Sequence, residues 1–528
     1  MRSGWRLAGV GALFVALFII LALRLWYLQV SAAEVFGASA EEQQLQVVSV
    51  PAPRGDIFDS EGRKLAGTVA SLSLVVDRSL VSADREEDLI QHLAALINRP
   101  ASEIRAQFEK AGTGARFPIE LDVSQAAALY ALEHAEQFPG VVVEPIPVRV
   151  YPEGESAAHV VGYMGAPDED DLKRPDIKPN DEVGKFGIER EYDALLRGTP
   201  GRVIYRVNAK GEILEVVDEL LPVPGGTAVL TIDLELQSVL EEALAAGIRL
   251  AAEEGEPVVR ASGLVLDPRD GSVRAMASIP AFDPGVFITG LSDTEWEALQ
   301  EKEALSNFAI QGRYPPASAF KVVAYTLALE KGIFPDEVTD PESLYFCRGR
   351  LEFEFRDGSP NVYTDWLVHG HGEVNVHGAL QQSCDLYFWE IALKIWRGRG
   401  DQYDEALVQE WARQLGFGAE TGIDLPFEQA GLVADREWFE RVQEEQPGRV
   451  RPKEEGGWSG GDVMNIVIGQ GLVLTTPLQL ANGYAALVNG GTVWEPRILD
   501  RVKDANNETV YTNPASVTRK IDLSRLTV

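Results

Sequence analysis

The sequence predicts an α+β protein behind an N-terminal apolar segment, and three observations carry that reading. Leu7 to Leu23 is an uncharged apolar run. Residues up to about Leu221 alternate short strand-like and helix-like runs. Beyond Pro222-Val-Pro-Gly-Gly226, a turn-rich boundary, come a strand, a helix, a hairpin and a second buried helix, helices and antiparallel strands in one domain. In chain order, Leu72–Val76 and Val141–Val148 read as strands, and Glu86–Asn98 and Val123–Phe138 as helices. Thr227–Ile232 reads as a strand, Leu234–Glu254 as a helix, and Gly263–Asp267 with Ser272–Ser278 as a hairpin around Asp270-Gly271. Phe320–Leu329 reads as a buried apolar helix, preceded by Pro315 and Pro316, which disfavour helix just before it.

With Arg24 snorkelling, the apolar run extends to about Val30, long enough to cross a bilayer. Arg2 and Arg6 precede it and Glu34, Glu41 and Glu42 follow it, so the N-terminus is expected in the cytoplasm and the bulk outside. A cleaved signal peptide is the alternative, with Ala38-Ser39-Ala40 as its site. The expected organisation is residues 1–30 as cytoplasmic tip and transmembrane anchor, 31–221 as a non-catalytic module, and 222–528 as the catalytic domain. A net charge of −33, with no concentration of basic residues, excludes nucleic acid as the default partner. A solvated acidic surface accounts for it, as does adaptation to a saline habitat. Two cysteines exclude a disulfide-stapled scaffold.

The chemistry concentrates in Tyr314-Pro-Pro-Ala-Ser-Ala-Phe-Lys321. Three residues is just under one helical turn, so Ser318 and Lys321 share a face and the amine can reach the hydroxyl. A serine hydroxyl is a weak nucleophile until a base takes its proton, and a desolvated neutral lysine can serve as that base. At the start of a helix, free backbone N–H groups can stabilise an oxyanion. About one Ser-x-x-Lys is expected by chance in a chain this long, so its context decides. Downstream lies Gln382-Ser383-Cys384-Asp385-Leu386-Tyr387-Phe388, a second polar triplet leading into apolar residues.

These two elements resemble the Ser-x-x-Lys and Ser-x-Asn motifs of class B penicillin-binding proteins, and of their elongation type, the penicillin-binding protein 2 group. The resemblance extends over nearly the whole chain. It includes Pro53-Arg-Gly-Asp-Ile-Phe-Asp-Ser-Glu-Gly62, Tyr151-Pro152, Ala158-His-Val-Val-Gly-Tyr163 and Gly187-Ile-Glu-Arg-Glu-Tyr192. It continues through Gly370-His-Gly372, Ile468-Gly-Gln-Gly471 and Thr476-Pro-Leu-Gln479. What it implies is a mixed α/β pedestal linked to dimerisation or partner contact, then a penicillin-recognising serine transpeptidase domain of beta-lactamase-like fold. The implied activity is D,D-transpeptidation of peptidoglycan during cell elongation. Ser318 is the implied nucleophile and Lys321 its base, Ser383 relays a proton to the leaving amine, and Asp385 stands where most relatives have asparagine. Stem peptides, beta-lactams and a SEDS-type glycan polymerase are the implied partners, and the plasma (inner) membrane the implied location. The rival readings are a scaffold that activates a polymerase, and a beta-lactamase or beta-lactam sensor.

The family's third motif, Lys-Thr/Ser-Gly, occurs nowhere in the sequence, since Lys503 precedes Asp504 and Lys520 precedes Ile521. The expectation is a transpeptidase domain truncated at its C-terminus, with a degenerate relative as the alternative. Cys347 and Cys384, with Asp365 and His371 between them, make a chemically suitable tetrahedral zinc set. Some elongation-type relatives hold zinc with an Asp, Asp, His, Cys set, which this chain matches with Cys347 in the first position. A disulfide and a pair of free thiols are the alternatives. In an extended segment Cys384 points away from Ser383 and Asp385, so a metal there braces the polar triplet from behind.

Overall fold

The computed structural model describes residues 4–27, 45–111, 116–179, 181–207, 213–354, 360–452 and 455–524. The signal-site alternative at Ala38–Ala40 and the flanking Arg2, Glu34, Glu41 and Glu42 lie outside them.

Two compact units are formed. The first comprises Met1–Pro53 and Arg197–Gly225. It holds the helix Gly4–Trp26 and a three-stranded antiparallel sheet, in which Gly201–Val207 lies between Leu45–Val50 and Ile213–Leu220. Phe14, Phe18, Ile20 and Leu21 of the helix are all exposed. Among the described residues no helix is long and apolar enough to cross a membrane.

The second unit comprises Arg54–Leu196 and Gly226–Val528. Its main sheet runs in the order Thr509–Thr512, Leu499–Lys503, Thr227–Leu230, Ile57–Phe58, Lys64–Asp77, Arg116–Glu120, and Val141–Val150 also pairs with Lys64–Asp77. Strands from both sides of the expected 221/222 boundary therefore share one sheet, joined by the parallel pairing of Ala228 with Ile57 and Val229 with Phe58. One apolar core follows the same course, with Ile57, Leu65, Val160 and Ile188 packed together with Leu230, Ile232, Met276 and Val502.

Several of the motifs between Arg54 and Tyr192 meet in a single buried ionic cluster. Glu189 accepts from Arg54 Nε at 2.6 Å and pairs with Arg149 Nη2 at 2.6 Å, while Arg54 Nη1 reaches Asp193 at 2.8 Å. All four side chains are buried, so each charge depends on its partners for the solvation it has lost. Gly162 is held against the next segment, with φ +84° and a Cβ position only 1.8 Å from the Phe186 carbonyl oxygen, so only glycine fits there.

The predicted elements of the C-terminal part form with small shifts. The hairpin pairs Ala261–Leu266 with Val273–Ile279, and the preceding helix is Leu234–Glu253, capped by Asp233. The second helix starts one residue after the expected Phe320. Ala317–Phe320 is a 3-10 turn, and the α-helix runs over Lys321–Lys331. Ala317 has φ +48°, which turns the chain sharply after the two prolines and before the helix begins. Ser318 thus sits in an exposed turn ahead of the helix, while Lys321 is the first residue of the helix proper and is buried.

Candidate active site

The turn that carries Ser318 is held from below by backbone alone. Ala317 N–H donates to the Gly469 carbonyl at 2.8 Å, and a Cβ on Gly469 would lie 2.0 Å from the Ala317 oxygen. Gly469 also has φ +74°, so the Ile468-Gly-Gln-Gly471 segment owes its first glycine to this contact. Tyr314 pairs with Thr475 on one side, and the Tyr484 hydroxyl donates to the Ala319 carbonyl at 2.8 Å on the other. Nothing in composition or periodicity singles out Tyr484; its role appears only when the Pro477–Val488 helix is laid beside the turn.

Ser383 comes from the short link between the helices Val376–Gln381 and Asp385–Arg397. It has φ +55°, a left-handed conformation that serine seldom adopts. This geometry sends successive side chains in different directions. The Ser383 hydroxyl donates to Ser318 Oγ at 2.8 Å and accepts from Lys321 Nζ at 2.9 Å. Lys321 Nζ also donates to the Ser383 carbonyl at 2.7 Å and forms an ion pair with Asp385. The structure thus brings Ser318, Lys321, Ser383 and Asp385 together, and it places Ser383 between the lysine and Ser318. An ammonium has three protons, and the three acceptors account for all of them.

Behind this group lie Cys347, Asp365, His371 and Cys384, whose candidate ligand atoms all fall within 4.8 Å of one another. Cys347 pairs with Gly372 on adjacent strands, and Cys384 immediately precedes the Asp385–Arg397 helix. The two sulfurs are 3.1 Å apart, well beyond the roughly 2.05 Å of a disulfide bond. His371 Nδ1 lies 3.5 Å from Cys347 Sγ and 3.8 Å from Asp365 Oδ2. Donors arranged tetrahedrally about 2.0–2.3 Å from a zinc centre stand roughly 3.3–3.8 Å from each other. The four groups fit zinc in number and type; His371 stands at a zinc-like spacing from Cys347 and Asp365, while the two sulfurs at 3.1 Å are closer together than two bound thiolates stand. Hydrogen bonding from the Cys384 thiol, with help from His371 and against the effect of burial, holds the Cys347 thiol well below its usual range. Cys384 is pushed up by the same contact and by burial. A dication held there would favour the deprotonated form of both sulfurs.

Asp365 connects the two groups. Its Oδ2 accepts from Leu386 N–H at 3.1 Å, next to Asp385, and its Oδ1 from Leu367 N–H at 3.1 Å. Trp366, which the sequence does not single out, donates from Nε1 to the Ser383 carbonyl at 3.0 Å and sets its ring edge-on to His371.

The penicillin-binding protein dimerisation domain matches residues 49–230, and the penicillin-binding protein transpeptidase domain matches residues 261–525. The chain is 30% identical to the peptidoglycan D,D-transpeptidase MrdA of Acinetobacter baumannii, over 96% of this chain and 70% of that protein. Against MrdA of Escherichia coli K12 the figures are 28%, 94% and 74%. A solved complex of penicillin-binding protein 2 with MreC from Helicobacter pylori superposes with a TM-score of 0.69 at 25% identity, covering 87% of this chain and 80% of that one. A peptidoglycan synthase complex, solved to show how polymerization and crosslinking are coordinated, gives 0.64 at 29% identity, covering 98% and 82%. On the matched domains, the relatives and the fold, the chain belongs to the class B penicillin-binding proteins, of the penicillin-binding protein 2 type.

Proposed function

We propose that the chain is a serine D,D-transpeptidase that cross-links peptidoglycan stem peptides during cell elongation, and that beta-lactams acylate its Ser318. The observation that carries this is the hydroxyl relay from Lys321 through Ser383 to Ser318. Ser318 Oγ attacks the carbonyl of a terminal D-Ala-D-Ala. Its proton passes to the Ser383 oxygen while the Ser383 proton passes to Lys321, which requires the lysine to present a lone pair. The relay then runs outward, and Lys321 returns a proton through Ser383 to the departing D-alanine amine. The hydrogen bonds as they stand, Lys321 to Ser383 to Ser318, have this outward direction. An amine from a second stem peptide attacks the acyl enzyme and regenerates Ser318.

Cys347, Asp365, His371 and Cys384 would hold one zinc ion as a structural brace behind the Ser383 link. Asp385 ion-pairs Lys321 and so keeps the amine aimed at Ser383. The uncharged run from Leu7 to Leu23, with Arg2 and Arg6 before it and Glu34, Glu41 and Glu42 after it, supports a membrane anchor with a cytoplasmic N-terminus and an extracytoplasmic catalytic unit. The solved complexes of relatives, penicillin-binding protein 2 with MreC and a peptidoglycan synthase complex, support protein partners for this chain, and the family resemblance makes a SEDS-type glycan polymerase one of them.

The test is covalent labelling of the purified protein by a fluorescent penicillin, with the modified residue located by mass spectrometry. Labelling at Ser318 that disappears in Ser318→Ala is the expected result. A label that persists in the alanine variant, or a wild-type protein that takes none, overturns the proposal, and the second result favours a polymerase-activating scaffold.

A further inference from the structure

We infer that Trp366 is a positioning residue for acylation, acting through the Ser383 carbonyl; the inference rests on the acylating role of Ser318 proposed above. Trp366 is 63% exposed, so burial does not explain its place. What holds it is specific. Its Nε1–H donates to the Ser383 carbonyl at 3.0 Å, the same oxygen that receives Lys321 Nζ at 2.7 Å.

Ser383 needs such a grip. Its φ of +55° is costly for a residue with a Cβ, and it persists only where surrounding contacts enforce it. On the N–H side the link is tied back to the preceding helix, Ser383 N–H to the Leu380 carbonyl at 3.1 Å and Cys384 N–H to the Ala379 carbonyl at 2.9 Å. On the carbonyl side there are two donors, Lys321 and Trp366, and they differ in kind. Lys321 exchanges protons in the reaction, and as a neutral amine it meets the Ser383 hydroxyl with its lone pair and keeps two N–H groups for the Ser383 carbonyl and Asp385. Its bond to the Ser383 carbonyl is weaker from the neutral amine than from the ammonium, because the charge no longer assists it. The indole N–H is a donor only and takes no part in proton exchange. Trp366 keeps the Ser383 peptide in place while Lys321 turns over, so Ser383 Oγ stays between the amine and Ser318. Trp366 also follows Asp365 in sequence and lies against His371, so the brace behind the site and the relay in front of it meet at this residue.

Trp366→Phe removes the N–H and keeps a ring against His371. In the full-length protein, stopped-flow acylation by a fluorescent penicillin separates the encounter constant from the acylation rate constant. The variant is expected to lose about five- to tenfold in the rate constant, the usual worth of one hydrogen bond, with the encounter constant, metal content and Tm unchanged. Amide hydrogen exchange at Ser383 and Cys384, measured without ligand, is expected to accelerate. A wild-type acylation rate constant in the variant overturns the inference. So does a loss carried wholly by weaker encounter, because Trp366 would then be a contact for the ligand. If the wild-type protein is not acylated at all, the proposed function fails. Exchange at Ser383 and Cys384 then decides the clamp alone, and unchanged exchange rejects it.

Discussion

The hydroxyl of Ser383 donates to that of Ser318 across 2.8 Å, joining residues 65 positions apart, while Lys321, only three residues from Ser318, meets it through Ser383. A proton on its way between Ser318 and Lys321 therefore crosses Ser383 on the inward leg as well as the outward one. Removing that hydroxyl breaks both. Ser383→Ala is expected to slow acylation by fluorescent penicillin about a hundredfold or more, the range of a lost acid-base group, with Tm near wild type. Lys321→Met is expected to slow it at least as much. Acylation of Ser383→Ala within twofold of wild type would show that Lys321 reaches Ser318 directly.

Gly469 tests how closely the Ser318 turn is supported. An added methyl would sit 2.0 Å from the Ala317 carbonyl oxygen, at a backbone φ of +74°. Neither the clash nor the strain can be relieved by a flexible side chain, because the opposing atom is backbone. Gly469→Ala is expected to cost about 1–3 kcal/mol of stability, read as a lower Tm, and to slow acylation by displacing Ser318. Gly448→Ala, at φ +94° with open space around it, carries the backbone strain without the clash and so isolates the share of the Ala317 contact.

Local chemistry made part of this architecture legible and topology hid the rest. The Ala261–Ile279 hairpin, the Leu234–Glu253 helix and the placing of Ser318 and Lys321 about one turn apart follow from turn residues, apolar periodicity and spacing, all of which act within a few residues, whereas the expected direct reach of Lys321 to Ser318 is replaced by a path through Ser383. The Ser318 turn itself was harder to read, because the apolar run does not say where a 3-10 turn gives way to an α-helix. The shared sheet was not legible, since the pairing of Ile57–Phe58 with Thr227–Leu230 joins segments far apart in sequence through two strand residues. Trp366 was missed for a similar reason. Its partner, the Ser383 carbonyl, is a backbone atom that carries no sequence signature.

The ionic cluster at the start of the second unit makes Glu189 the residue on which two arginines depend. Burial opposes its ionisation, yet the Arg149 and Arg54 charges keep its carboxyl below the usual range. Glu189→Ala leaves both guanidinium groups buried without their principal partner. The expected loss is about 3–5 kcal/mol, measured by urea unfolding. A loss below about 1 kcal/mol, the level of an exposed pair, would show that water or rearrangement replaces the carboxylate.

The cysteine cluster makes a claim that elemental analysis can settle. Protein purified anaerobically is expected to carry one zinc per chain, and Cys347→Ser and His371→Ala are expected to lose it. Removing the metal with a chelator is expected to lower Tm and slow acylation together, because Leu386 and the Ser383 link hang from Asp365 and Cys384. Thiols that titrate only after reduction, with no metal present, would establish a disulfide in its place.

His159 gives the second unit a pH dependence whose direction follows from its surroundings. Burial against Phe282 and Phe186 holds its pKa down at about 4, although a hydrogen bond to the Ala304 carbonyl at 2.8 Å opposes the shift. In the unfolded chain an ordinary histidine takes up its proton near pH 6.5. Above that value both states are neutral and the stability from burying the ring is fully present. As pH falls from about 6.5 towards 4, the unfolded state binds a proton that the folded state excludes. Stability then declines, by about 3 kcal/mol at most. His159→Gln keeps a donor for the Ala304 carbonyl and removes the titration. Between pH 7.5 and 5 the wild-type protein should therefore lose more Tm than the glutamine variant, the carboxylates contributing equally to both. Parallel Tm curves would mean that His159 is protonated in the folded protein at pH 5, and that its pocket admits the charge.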